Sequence, residues 1–400
     1  MMHDTDGQQV VIAGAGPVGL TVALALAQQG ITVTVLEGGT DLSTNSRAST
    51  VHASTLELCD DLGVAWDIIR AGEIIPRVQY RERKLGPIAE FDFGLMSDYT
   101  AFPIRMQTDQ ARIVRIMARK LAECPSARIL FGHEVRTVRQ DGGVVFTTAD
   151  TAGGEVVFES TYAAGCDGAH SAVRAALGLQ FEGEAYEIRL LKILTTFDVL
   201  GAVPDLLSAT YVFDDDEPFG VLCLPDHTRV TFHLKPPEDA DEVVLPEKVQ
   251  ARLERALGAP AGTYPVASVL VYSLHRRLAT AFRLENAFLA GDAAHLNHPA
   301  GGMGMNSGMH DGYLLGKALA DVLGGHASDA ALTGYAETRR AVAAGYVHSR
   351  SDRNATDMRS KQEMNDERDA RLRRIAADPA LARGFVLRAS MFDSAPRRLW

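Results

Sequence analysis

The chain has 400 residues, 46% of them hydrophobic and 23% charged, an ordinary globular composition that excludes wholesale disorder and fibrous repeats. Its 40 Lys plus Arg against 51 Asp plus Glu leave a net charge of −11, which argues against non-specific attraction to nucleic acid or an anionic membrane. At about 150 residues per domain, the length suggests two or three units with ample material for a large core.

The N-terminus, MMHDTDGQQ, carries acids and no basic region, so no secretory signal is evident. Residues 10–13 form a short apolar run that ends in a glycine-rich turn. A helical stretch over 17–29 follows, then Gly30, then a strand with period-2 alternation over 31–37, together a βαβ unit. Pro17 at the helix start and Gly30 just past its end fit the usual end chemistry. The apolar run 18–27 contains Thr21 and stops at Gln28-Gln29, short of the ~20 residues a membrane span needs.

Further along, 111–121 reads as a helix. Strand-rich stretches near 127–138 and 143–158 flank the turn Asp141-Gly142-Gly143. From about 185 to 274 the pattern changes to alternating runs over 191–199, 210–213, 220–224 and 229–234. This predicts a mainly antiparallel sheet with one helix near 246–257. After Leu284 the chain returns to strand, glycine-rich loop and long helix, and from Tyr335 onward it is Arg-rich with a helical period. A solvated helix face is the expectation for that tail. The cysteines Cys59, Cys124, Cys166 and Cys223 form no CxxC pair, so free thiols in a reducing cytoplasm are expected, with no zinc site and no disulfides.

Three motifs carry chemistry. In Gly14-Ala15-Gly16-Pro17-Val18-Gly19, Gly14 allows the tight turn, Gly16 lets backbone approach a pyrophosphate, and Gly19 permits close helix–strand packing. The helix that follows offers its N–H groups and positive dipole end to phosphates. Glu37 closes the next strand, where a carboxylate accepts ribose hydroxyls and repels a 2′-phosphate. Gly301-Gly302-Met303-Gly304 does not repeat this fingerprint, so a second nucleotide would have to dock transiently. The second motif runs from Cys166 and Asp167 to Arg174. The third is Ala290-Gly291-Asp292-Ala293-Ala294-His295, followed by Pro299-Ala300-Gly301-Gly302-Met303-Gly304-Met305-Asn306. Alone, Asp167 and Asp292 read as turn or N-cap carboxylates. His295, His298, His310 and Arg174 read as capping or packing residues.

Taken together over roughly 10–323, the three motifs resemble the group A flavoprotein monooxygenases of the p-hydroxybenzoate hydroxylase type. The resemblance implies an α/β fold, with a Rossmann-like FAD-binding domain interrupted by a mainly antiparallel β-sheet substrate domain and followed by C-terminal helices. Its FAD-binding parts are expected at 1–75, 101–182 and 284–328, the substrate parts at 76–100 and 183–283, and the helical region at 329–400. It implies FAD as the cofactor and NADH or NADPH as a transient co-substrate. By position, Gly14, Gly16, Pro17, Val18, Glu37, Gly38 and Val135 would serve the adenosine and pyrophosphate. Arg47 and Gln110 would contact the cofactor nearer the flavin, Asp167 would support it, and Asp292 would bind the ribityl and pyrophosphate region. Pro299, Gly302, Met303, Gly304, Met305 and Asn306 would flank the isoalloxazine ring. At the start of a long helix, that loop also suits an anionic reduced flavin.

The reaction implied is hydroxylation of an aromatic, expectedly phenolic, small molecule with O2 through a flavin hydroperoxide. The protein's part is positioning and a dry pocket between the sheet and the ring. A base or relay that deprotonates the phenol is expected near that sheet. No residue is assigned to the role: Tyr211, His233 and Tyr272 lie on candidate strands, and each reads as sheet packing. Epoxidation, Baeyer–Villiger insertion, decarboxylative hydroxylation and a catalytically silent dinucleotide-binding protein are the alternatives. Trp66 and Trp400 stand far apart, without the Trp-x-Trp of flavin halogenases, and Leu314 and Lys317-Ala318 replace the Asn and Trp-Lys of many members. The length is expected to leave no room for the thioredoxin-like domain of longer phenol hydroxylases. A cytoplasmic monomer or homodimer, without a nucleic acid partner or a membrane span, completes the expectation.

Overall fold

The computed structural model describes residues 2–44, 48–214, 216–235, 237–349 and 362–394. The first strand, Met2–Ala13, pairs in parallel with Val33–Glu37 on one side and Gly154–Gly165 on the other. Ala127–Phe131 and Ala287–Leu289 extend the sheet in parallel at its two flanks. Glu134–Asp141 and Val144–Thr151 meander antiparallel onto Gly154–Gly165. Val33, Thr34, Val35 and Leu36 are all buried, because helices cover this parallel sheet and leave no solvent face.

The helix predicted over 17–29 spans Pro17–Ala27, and every residue in it except Val18 is buried. Its one polar residue in the apolar run, Thr21, donates its hydroxyl to Pro17 O at 2.7 Å, which removes the cost of burying it. The long helix Met303–Leu323 lies against it. Gly312 and Gly316 make that approach possible: a Cβ on Gly312 would stand 2.8 Å from Val18 O, and one on Gly316 2.6 Å from Ala25 Cβ. The helix expected from residue 111 begins one residue earlier, as Gln110–Leu121.

The second sheet has eight strands, ordered His295–Leu296, Val266–Ala279, Phe181–Thr195, Thr228–Leu234, Phe219–Cys223, Ala209–Phe213, Arg77–Glu82 and Gly86–Asp92. Every pairing is antiparallel except that of Ala209–Phe213 with Arg77–Glu82. Its central strand is longer than the sequence pattern suggested, starting at Phe181 and ending at Thr195, short of the expected 199. The helix Pro246–Leu257 falls where predicted and packs Val249, Leu253 and Leu257 against Leu191, Ile193, Val230 and Phe232. This buries one face of the sheet. A third, three-stranded sheet joins Thr50–Val51, Arg105–Gln107 and Glu73–Ile75.

Three C-terminal helices, Ala330–Val342, Gln362–Ala377 and Pro379–Ala389, close the described chain. The last stacks Phe385 on Phe91 of the second sheet at 4.0 Å. The solvated-face expectation for the Arg-rich tail fails at Arg339, which is 2% exposed. All four cysteines are free thiols. Among the described residues, no helix is long and apolar enough to cross a membrane.

Candidate active site

Residues from both large sheets line a single cavity of about 510 Å³, within the usual range for small-molecule sites. Of the residues the sequence singled out, Gly14, Gly16, Pro17, Val18, Glu37, Gln110, Asp167, Asp292, Pro299, Gly302, Gly304 and Met305 line it. Segments from the two ends of the span 14–305 thus meet at one cavity.

The glycine turn leaves the first strand with Gly14 at φ +97°, and a Cβ there would stand 2.6 Å from Cys166 O. The first motif is therefore wedged against the second, and Cys166 N–H donates to Ala13 O at 2.9 Å. In contrast, nothing lies within 4 Å of where a Gly16 Cβ would be, so the space in front of the turn is open to a ligand. Glu37 braces the turn: its Oε2 accepts from Ala15 N–H at 2.8 Å and its Oε1 from Gly39 N–H at 3.0 Å. Each carboxylate oxygen keeps a lone pair for a further donor. Gln110 Oε1 accepts from Ala48 N–H at 3.3 Å, holding the segment that reaches the cavity as Ser49 and Thr50.

Asp167 Oδ2 accepts from Val173 N–H at 3.1 Å, while its buried Oδ1 has no partner among the described residues. Arg174 ties this motif to the third, donating to Ala169 O and to Ala293 O at 2.9 Å each. Asp292 sits in a single helical turn, Gly291–Ala293, and faces the cavity. Behind that turn, Asp311 is fully buried and accepts from Gly291 N–H at 3.1 Å, His295 Nε2 at 2.8 Å and Arg339 Nε at 2.6 Å. Burial alone would raise the Asp311 pKa, but Arg339 and His295 hold it down to about 2. His295 thus serves the fold, as the sequence suggested. His310 does so too: buried, and near Arg339, its pKa falls to about 3, and Thr55 Oγ1 lies 2.9 Å from its Nε2.

The loop before the long helix is held from outside the cavity. Gly302 is left-handed at φ +68°, and a Cβ there would stand 2.8 Å from Thr50 Cβ. Asn306 is fully buried and does not line the cavity: its Oδ1 accepts from His52 N–H at 3.0 Å, and its Nδ2 donates to Thr50 O at 2.8 Å and Gly302 O at 2.6 Å. Met303 packs with Val347 and Met391 on the far side. A cofactor contact from Met303 or Asn306 would therefore come through backbone, and the side chains implied by resemblance have structural work instead. Gly38 and Val135 also stand off the cavity wall, Gly38 against Glu134 and Val135 in the core. Arg47 lies outside the described residues.

Open space at Gly16, an unpartnered buried carboxylate oxygen on Asp167, two further acidic acceptors in Glu37 and Asp292, and an uncapped helix start at Gly302 fit a large dinucleotide with hydroxyl and amide donors.

The other half of the cavity belongs to the second sheet. Arg229, Thr231 and His233 alternate along one strand and line it, while Val230, Phe232 and Leu234 point into the apolar cluster behind. Tyr211 and Tyr272 line it as well, so all three residues read from sequence as sheet packing face the cavity instead. Burial raises the Tyr272 pKa against the pull of Arg229, and burial lowers that of Arg229. Arg105 enters from the three-stranded sheet, donating through one terminal nitrogen to Thr50 Oγ1 at 3.1 Å and Tyr211 OH at 3.2 Å. His298 and Leu190 complete this side.

Residues 7–350 match the family described as FAD binding domain. The chain belongs to that family. FAD is its cofactor. It is 32% identical over 394 residues to para-nitrophenol 4-monooxygenase of Pseudomonas sp. (strain WBC-3), covering 96% of each chain. It is 34% identical to 6-methylpretetramide 4-monooxygenase of Streptomyces rimosus over 85% of this chain, which spans only 60% of that longer relative. The crystal structure of p-nitrophenol 4-monooxygenase from Pseudomonas putida DLL-E4 superposes with a TM-score of 0.93, at 28% identity and full coverage of both chains.

Sequence reasoning missed Arg105, Arg229, Thr231 and His298 as cavity residues. For Arg229 and Thr231 a signal existed, since they occupy the polar phase of a period-2 strand. Such a phase ordinarily reads as a solvent face. Arg105, alone in a three-residue strand, carries no local signal.

Proposed function

We propose that this chain is an FAD-dependent monooxygenase that hydroxylates an aromatic, phenolic small molecule with NADH or NADPH and O2. The observation that carries this reading is one continuous cavity lined by Gly14, Gly16, Glu37, Asp167 and Asp292 on one side and by Tyr211, His233 and Tyr272 on the other. Full-length similarity to a para-nitrophenol 4-monooxygenase supports it. Bound FAD supplies the redox chemistry, taking electrons from the pyridine nucleotide and delivering one oxygen of O2 to the ring while the other leaves as water.

The chain's own residues bind, orient and exclude water. In this reading Gly14, Gly16, Pro17 and Val18 would admit the pyrophosphate, Glu37 would take ribose hydroxyls, Asp167 would support the FAD, and Asp292 would hold the ribityl and pyrophosphate region. The backbone from Gly302 to Met305, at the start of the long helix, would hold the flavin, and the helix dipole there would favour negative charge on it. Leu190, Leu222 and Leu296 line the cavity and keep water from the ring. A guanidinium only donates, so Tyr211 OH accepts from Arg105 and its own proton is left for an oxygen in the cavity it lines. Tyr211 would thus orient the substrate hydroxyl.

We assign residues 1–75, 101–182 and 284–328 to FAD binding, 76–100 and 183–283 to the substrate side, and 329–400 to a helical region, and place the enzyme in the cytoplasm. The test is NAD(P)H consumption across a panel of phenols and heteroaromatics, with peroxide measured in parallel and product mass and isotope position read under labelled O2. The expected result is substrate-stimulated consumption, little peroxide, and a product one oxygen heavier. Flavin bound without any stimulated oxidation would leave only the dinucleotide-binding role.

A further inference from the structure

Among the described residues none beyond Met305 lines the cavity, so the C-terminal helices stand apart from it. The turn that ends the last of them is nonetheless anchored behind the third motif. Ser54 Oγ donates to Ser390 O at 2.7 Å, Ser394 Oγ lies 3.2 Å from His310 Nδ1, and Arg339 donates to Ser394 O at 2.6 Å. Through Arg339 and Asp311 the turn reaches the Gly291 N–H beside Asp292. Its other contact is apolar: Met391, 1% exposed, packs with Met303 and Val347.

Met391 has a left-handed backbone, with φ +64°. Helices commonly end on a residue of this kind, but glycine usually takes the place, because a Cβ there crowds the carbonyl that follows. The other non-glycine residues with positive φ among those described, Asp205 and Glu285, are exposed, and Met391 is buried. Strain of this kind persists only where the surroundings enforce it. The buried side chain is what a glycine would forfeit, and it rests on Met303, the first residue of the long helix.

We propose that Met391 is a positioning residue of the cofactor site. It braces Met303 from outside the cavity, so that the backbone N–H groups at the start of the long helix keep their place on the flavin. Those N–H groups have no partner within the helix, and the turn on which Met303 rests decides where they point. A flavin reduced to an anion draws on them more than an oxidised one does, so a displaced loop lowers the reduction potential as well as the affinity. This rests on the assignment of 302–305 to the flavin, and it extends the cofactor site to a segment that contributes nothing to the cavity wall.

Met391→Ala, Met391→Gly and Met391→Leu separate packing from strain. Alanine loses the side chain and keeps the strain, glycine loses both, and leucine keeps both. Urea unfolding at one fixed FAD concentration should therefore rank the glycine variant above the alanine variant. FAD affinity by fluorescence, and the flavin reduction potential of the FAD-saturated enzyme, should instead group the two. Both should bind FAD about tenfold more weakly, the equivalent of one hydrogen bond lost, and both should show a lower potential. Leucine should match the wild type in affinity and potential. Values that recover in the glycine variant along with stability would make the turn a mere helix stop and overturn the proposal, as would wild-type values in all three. Phe385→Leu loosens the same helix from Phe91 instead, and should cost stability without moving the potential. An equal fall there means that any loosening suffices, which also overturns the proposal. Gly304→Ala, on the cavity wall, tests the loop itself. An unchanged potential in that variant overturns the placing of the loop at the flavin and this inference with it. A changed potential there, with an unchanged one in Met391→Gly, overturns only this inference. Should Met391→Ala fail to fold, the glycine and leucine variants carry the comparison.

Discussion

Asp311 is the group whose removal has the most calculable consequence. Its carboxylate is fully buried between Arg339, His295 and the backbone N–H of Gly291, and Arg339, also buried, has no other acidic partner among the described residues. Asp311→Ala strands a guanidinium and an imidazole in the core. Breaking a buried pair on one side costs about 3–5 kcal/mol, a fifth or more of the roughly 5–15 kcal/mol that holds a typical domain together. The loss should reach the site, because Gly291 N–H is freed beside the turn that carries Asp292. Urea unfolding at fixed FAD concentration measures the first effect, and FAD affinity by fluorescence the second. Asp311→Asn combined with Arg339→Met should lose less than the two single variants summed, since the pair is coupled. Acid gives an independent check. A carboxyl that ionises at about 2 when folded and 3.8 otherwise contributes about 2 kcal/mol above pH 4, and this is lost as pH falls through 2. Should Asp311→Ala lose under about 1 kcal/mol and keep FAD as tightly, the reasoning about this network is wrong.

Further expectations follow from the same geometry. His310 is held near 3 against an ordinary 6.5, so the unfolded chain takes up a proton first and stability declines as pH falls from 6.5 towards 3. Unfolding at pH 7 and pH 5 should show this, with a flatter slope for His310→Gln. A Cβ at Gly16 meets no protein atom within 4 Å, so Gly16→Ala should fold normally and lose FAD affinity tenfold or more. An undiminished flavin spectrum would contradict that. Asp292→Ala removes a charged acceptor from the cavity wall, and hydrogen bonds of this kind are worth about 1.5–3 kcal/mol. Its FAD affinity should therefore fall about tenfold to a hundredfold, and unchanged retention in gel filtration would remove Asp292 from the cofactor site.

Several elements could be read from the chain because the signals that form them are local. Pro17 and Gly30 bracket the first helix, Pro246 and Gly258 the helix over the second sheet, and both fall within two residues of expectation. The glycine turn, Asp167 and Asp292 stand at one cavity as their motifs implied. Side chains within a motif were harder to place. Met303 and Asn306 belong to the loop, yet one points to the C-terminal helices and the other clamps Thr50 and His52, and only the partners across the interface decide that.

Sequence alone therefore determined the βαβ cradle, the alternating strands and the dinucleotide chemistry, since period, end residues and close-approach glycines act over a few neighbours. Tertiary structure decided which polar residues matter. Arg229, Thr231 and His233 would be an ordinary solvent face on an isolated strand, and Arg105 and Arg339 ordinary surface arginines. They are drawn in from water because chain remote in sequence covers them, and a hydrophobic pattern along one segment holds no record of what will cover its polar side.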